Sequence, residues 1–171
     1  MGCSLGSAVV QWIALSPRPW LSAIGLVGAG ARLKVLPAVL DGLRQEGERQ
    51  QSMGMMAEFC LSPSTGEPLR SSFTEKFRHT SPELVLNDLL ACDAFDVMKR
   101  IGEISLPTWI IVGEDDNLTP MKYARFLHEH ISGSRLSVIP GAGHLVMMEK
   151  PKEFNELLGQ FLVDVGLVAA S

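Results

Sequence analysis

Gly2-Cys3-Ser4-Leu5-Gly6-Ser7 opens the chain, and an apolar run at helical spacing follows it directly. A Gly-x-Ser-x-Gly pentapeptide lifts a serine hydroxyl onto a sharp strand-to-helix turn, because its neighbours are small enough to permit the bend. Ala8, Val9, Trp12 and Ile13 predict a helix from Leu5 to Leu15, stopped by Ser16-Pro17-Arg18-Pro19. Only Met1-Gly2-Cys3 precede Ser4, so the turn is expected to lack a strand of its own.

Downstream, apolar runs alternate with helical patterns. Leu21 to Val27 reads as a buried parallel strand closed by Gly28-Ala29-Gly30. Those glycines lack the third glycine and acidic partner of a dinucleotide fingerprint, so they read as loop residues. Thr108 to Val112, β-branched and ended by Gly113, and Leu136 to Ile139, ended by Pro140-Gly141, read as two further strands. Helices are predicted from Met121 to Ile131 behind Pro120, and after Pro151, where Phe154, Leu157, Leu158, Phe161 and Leu162 share a face. Strands alternating with helices imply an α/β fold with a parallel sheet of about three strands. Ligands of such sheets bind beyond the carboxyl ends of the strands.

Residues 33–104 carry no convincing strand. Val35, Leu36, Val39, Leu40 and Leu43 form an amphipathic stripe, and Met53, Met55, Met56 and Phe59 extend it. Ser62-Pro63-Ser64-Thr65-Gly66 breaks the pattern, which resumes at Phe73 to Phe77, Pro82 to Leu90 and Phe95 to Ile101. This segment reads as a helical insertion. Methionines at helical spacing are core residues first, although methionine also adapts to irregular apolar ligands.

Two further motifs follow: Gly113-x-x-Asp116-x-x-x-Pro120, and Pro140-Gly141-Ala142-Gly143-His144 with Glu149-x-Pro151 beyond it. Asp116 and His144 each fall just after a predicted strand and so reach the carboxyl edge. A neutral imidazole can take the proton of a serine hydroxyl, and a carboxylate can fix its tautomer. The plainer alternatives are a turn serine at Ser4 and a core or surface histidine at His144. Asp115 competes with Asp116 but reads as its solvated neighbour, given the offsets to Gly113 and Pro120. His128 and His130 are expected to be exposed, His79 to mark a helix boundary, and Cys3 to be a small buried residue beside Ser4.

The 171 residues are 46% hydrophobic and 20% charged, an ordinary globular composition, with a net charge of −4. That charge gives no electrostatic reason to bind nucleic acid or an anionic membrane. Cys3, Cys60 and Cys92 lack the spacing of a zinc site or a disulfide framework, so they read as free thiols in a reducing cytoplasm. The apolar run from Ala8 to Leu15 has no basic flank or cleavage site, and Gly6 stands where N-myristoylation needs Ser or Thr. No metal or cofactor is expected.

Taken together, the three motifs resemble the C-terminal part of the α/β-hydrolase family, in its esterase, lactonase and C–C hydrolase branch with a helical cap. The resemblance covers essentially the whole chain. It implies a partial α/β-hydrolase fold, with a core of 1–32 and 105–171 and a cap of 33–104. It also implies Ser4 as nucleophile, Asp116 as acid, His144 as base and the Leu5 N–H as an oxyanion donor. Serine at position 4 argues against the dehalogenase and epoxide hydrolase relatives, which carry aspartate there. The expected activity is cleavage of a small, largely apolar ester, lactone or related acyl compound through an acyl-enzyme. The family's strands before the elbow are missing. That departure predicts an exposed apolar edge at Leu21–Val27, open to self-association, and either a truncated reading frame or strands supplied by another chain. A catalytically dead remnant that binds a partner through that edge is the alternative.

Overall fold

The computed structural model describes residues 1–16 and 18–169. In chain order it runs β1 (Gly2–Cys3), α1 (Leu5–Ala14), β2 (Ile24–Val27), α2 (Pro37–Arg44), α3 (Arg49–Phe59), α4 (Glu67–Arg78) and α5 (Pro82–Ala94). A 3-10 turn at Ile101–Glu103 leads to β3 (Thr108–Gly113), α6 (Met121–His130), β4 (Arg135–Ile139), α7 (Val146–Glu149) and α8 (Pro151–Asp164). The sheet is parallel throughout, in the order β1-β2-β3-β4.

Alternation along the strands divides the core in two. Ile24 and Leu26 of β2 and Ile110 and Val112 of β3 face one side, where they meet Leu15 at the end of α1 and Ala124 and Leu127 of α6. Val27, Trp109, Ile111 and Ile139 face the other side and meet Phe154 and Phe161 of α8. Trp109 lies 5.5 Å from the Phe154 ring and 5.9 Å from that of Phe161, and its indole N–H donates to Ser137 Oγ at 2.9 Å. A third apolar cluster joins α2, α3 and α5 through Val39, Leu43, Met53, Met56 and Val85. Met53 and Met56 are therefore core residues, while Met55 is exposed.

Three sequence expectations are corrected. The elbow does have a strand: Gly2 and Cys3 pair with Leu26 and Val27, and Ser4 N donates to Val27 O at 3.0 Å. Two residues carry no periodicity of their own, and the neighbouring ladder defines them. For the same reason β2 is not a bare edge. Its residues are all buried, and the Met1 side chain lies against Gly25. The predicted helix at Phe95–Ile101 is absent, because Val97 N donates to Ala31 O at 2.8 Å and Arg32 forms an isolated bridge with Asp96. The single turn α7 was too short to show a period. Of the residues expected to stop α1, Pro17 lies outside the described residues.

Candidate functional site

Ser4 sits between the end of β1 and the first turn of α1 with φ 52° and ψ −120°, and among the described residues it alone combines a side chain with positive φ. Such a conformation costs about 1–3 kcal/mol and persists only where its surroundings over-determine it. Here the Ser4 carbonyl accepts from Ser7 N at 2.8 Å, Ala8 N at 3.3 Å and Ser7 Oγ at 2.6 Å, while its N–H is held by β2. Gly2 makes the turn sterically feasible, since a Cβ there would lie 2.1 Å from Gly6 O. Gly6 is different: a Cβ there would meet nothing within 4 Å.

Beyond β3, the turn carrying Asp116 closes through Asp116 N and Gly113 O at 3.2 Å. The Asp116 side chain is fully buried, and its carboxylate accepts four hydrogen bonds. Oδ1 takes Leu118 N at 2.9 Å and Thr119 N at 2.8 Å, and Oδ2 takes Thr119 Oγ1 and His144 Nδ1, both at 2.8 Å. A carboxylate oxygen accepts, so in this bond Nδ1 of His144 is the donor, and in the neutral ring that leaves Nε2 as the acceptor. Nε2 is buried, and among the described residues it has no hydrogen-bond partner. His144 is placed by the loop after β4, where its N–H donates to Cys60 O at 3.0 Å.

Gly28, at the end of β2, has φ +51° and lies against this pair. A Cβ on Gly28 would be 2.8 Å from both Cε1 and Nδ1 of His144 and 3.4 Å from Asp116 Oδ2. The glycine read from sequence as a loop residue therefore makes room for the imidazole. Thr119 is a second residue that the sequence reading passed over, although it immediately precedes the Pro120 used to locate Asp116.

Ser4, Leu5 and His144 line one cavity of about 450 Å³, walled by apolar side chains that include Leu33, Val39, Met56, Phe59, Phe77 and Leu89. The Ser4 hydroxyl and His144 Nε2 are not hydrogen-bonded to one another. Leu5 is the first residue of α1, so its N–H has no intrahelical acceptor and lies at the positive end of the helix dipole. All three cysteines also line the cavity. Burial, reinforced by the Asp116 charge, pushes the thiols of Cys3 and Cys60 up to about 12, and burial beside Asp88 pushes Cys92 up to about 11. Neutral thiols are weak nucleophiles, so Cys3 reads as a packing residue beside Ser4.

Asp115 is not a solvated neighbour: its Oδ2 accepts from Ser62 Oγ at 2.6 Å. His79, His128 and His130 are exposed. Among the described residues no group of three or more His, Cys, Asp or Glu side chains is placed to hold a metal ion, and no helix is long and apolar enough to cross a membrane.

A family model described as the alpha/beta hydrolase fold matches residues 1–151. A thermophilic esterase of known structure superposes with a TM-score of 0.84 at 42% identity, covering 96% of this chain and 65% of its own. 3-Oxoadipate enol-lactonase 2 of Acinetobacter baylyi is 28% identical over 169 residues, 90% of this chain and 59% of the lactonase. Serine hydrolase BPHL of Mus musculus is 41% identical over 108 residues, 54% of this chain and 37% of that protein. The chain thus spans less than two thirds of the length of each of these relatives. The family match takes in every strand end that builds the cavity, and the chain belongs to the α/β-hydrolase fold family.

Proposed function

We propose that the protein is a serine hydrolase that cleaves a small, largely apolar ester, lactone or related acyl compound through an acyl-enzyme. One observation carries this reading. A serine held at positive φ on a strand-to-helix turn shares a cavity with an imidazole whose Nδ1 is bound to a buried carboxylate and whose Nε2 is unpartnered. Names among the relatives, an esterase, a lactonase and a serine hydrolase, point the same way.

In this mechanism His144 Nε2 takes the Ser4 hydroxyl proton as Oγ attacks the substrate carbonyl. The Leu5 N–H stabilises the oxyanion. The leaving alcohol takes the proton from His144, and a water activated by the same nitrogen then hydrolyses the acyl-enzyme. Asp116 stays ionised, holds the tautomer and stabilises the imidazolium. Hydrogen bonds of this kind are long in unliganded enzymes and tighten around substrate, so Ser4 and His144 need not be bonded at rest. Helices α2 to α5 supply most of the apolar wall and serve as the cap over the site.

Hydrolysis of a short-chain chromogenic ester by the purified protein tests the proposal. Turnover is expected, and Ser4→Ala should reduce it at least about a thousandfold, the scale on which triad members act. Turnover that survives Ser4→Ala removes Ser4 as nucleophile.

A further inference from the structure

Behind the Ser4, His144 and Asp116 side chains lies a second set of polar bonds that the proposed reaction does not use. Glu149, in α7, directs both carboxylate oxygens at backbone and hydroxyl donors. Its Oε1 accepts from Gly143 N at 2.9 Å, and its Oε2 accepts from Ser62 N at 2.7 Å and from the Thr65 hydroxyl. Gly143 adjoins His144, while Ser62 and Thr65 belong to the loop between α3 and α4. The two backbones touch, since a Cβ on Gly143 would lie 2.4 Å from Ser62 N. The same loop meets the residue before Asp116, through Ser62 Oγ and Asp115 Oδ2 at 2.6 Å. Arg70 Nη2 caps the arrangement on Ser62 O at 2.7 Å.

The loop of residues 60–65 is therefore clamped by two carboxylates: Asp115, which adjoins Asp116, and Glu149, which holds the N–H of Gly143 beside His144. Its leading residue, Cys60, takes the His144 N–H directly, and Cys60, Phe59 and Met56 also line the cavity. Three donors converge on two oxygens, an arrangement that only a carboxylate satisfies. A glutamine of the same shape offers one acceptor oxygen and turns an N–H pair towards a donor.

We propose that Glu149, acting through Gly143 and Ser62, is a positioning residue that sets the depth of the His144 imidazole in the cavity and ties it to the cap. This rests on the serine hydrolase reading for its kinetic consequence, but not for its structural one. Displacing a reacting group by an ångström costs about a hundredfold in rate. Glu149→Gln should accordingly lower kcat for a chromogenic ester by at least about tenfold with KM within about twofold, because Glu149 itself does not line the cavity.

Two readouts separate positioning from general weakening. Thermal melts identify a temperature at which parent and variant are both fully folded, and kcat is compared there. The His144 ring resonances, followed by NMR, should shift in Glu149→Gln and in Thr65→Val, which removes only one donor to Oε2 and guards against a failure of the first variant to fold. A folded Glu149→Gln protein with kcat within twofold of the parent, or with unmoved His144 resonances, overturns the proposal. If the parent hydrolyses no ester, the serine hydrolase reading is what fails. The resonances then decide on Glu149 alone.

Discussion

Gly28→Ala places a methyl group where the structure has no room for one. The built Cβ lies 2.8 Å from His144 Cε1, whereas carbon atoms in contact rest at about 3.5–4.0 Å, so ring and backbone must separate by roughly 0.7 to 1.2 Å. The left-handed backbone at φ +51° adds about 1–2 kcal/mol for any L-residue with a Cβ. Most of the separation falls on the imidazole, because Gly28 N is anchored to Ile111 O at 3.0 Å within the sheet. An ångström at a reacting group costs about a hundredfold, so kcat/KM for a chromogenic ester should drop by about that factor. Gly6→Ala is the matched control. It alters a motif glycine inside α1 whose Cβ would meet nothing within 4 Å, and alanine gains about 0.5–1 kcal/mol over glycine in a helix. Parallel measurement of kcat/KM and thermal midpoints should show Gly28→Ala crippled and Gly6→Ala active and slightly more stable. A Gly28→Ala protein that keeps kcat/KM within about threefold would refute the claim that this glycine seats the imidazole.

The cysteines make a prediction about alkaline pH. Their folded thiols hold protons up to about 12 for Cys3 and Cys60, against an ordinary 9.0, so the unfolded chain loses protons first and stability present below pH 9 should fall as pH rises towards 12. Denaturation midpoints from pH 8 to 11 check this, and a Cys60→Ala profile just as steep as the parent's counts against it. Thr119→Val keeps the shape but removes one of four donors to a buried carboxylate, and should cost about 1–3 kcal/mol in chemical denaturation. Unchanged stability would mean that the Thr119 hydroxyl does not support Asp116.

The sequence made some parts of this fold legible because they repeat. Residues 108–112 are β-branched and apolar, 151–164 place aromatic and leucine residues on one helical face, and both became the expected elements. β1 and α7 did not show, because two and four residues are too few for any period to register. Phe95 to Ile101 misled for the opposite reason. It has helical apolar spacing, but backbone bonds to Ala31 and a bridge at Arg32, far away in sequence, override it.

The candidate site divides along the same line between local and non-local information. Ser4, Asp116 and His144 were legible because each sits in a short motif whose glycines and prolines punctuate a strand end. What supports them is tertiary. Gly28 is close to His144 only because parallel order sets β2 beside β3, and Glu149 reaches Ser62 across 87 residues of sequence. The physical demand explains the density of that support. A fully buried carboxylate needs donors on both oxygens to offset the loss of water, and a serine at positive φ relaxes unless strand and helix both hold it. Ser4, Asp116 and His144 therefore point to the chemistry proposed here, while the glycines, hydroxyls and the second carboxylate behind them decide whether the geometry survives. Substitutions in that outer set, including Glu149 of the third motif, should consequently lower turnover while leaving Ser4, Asp116 and His144 unaltered.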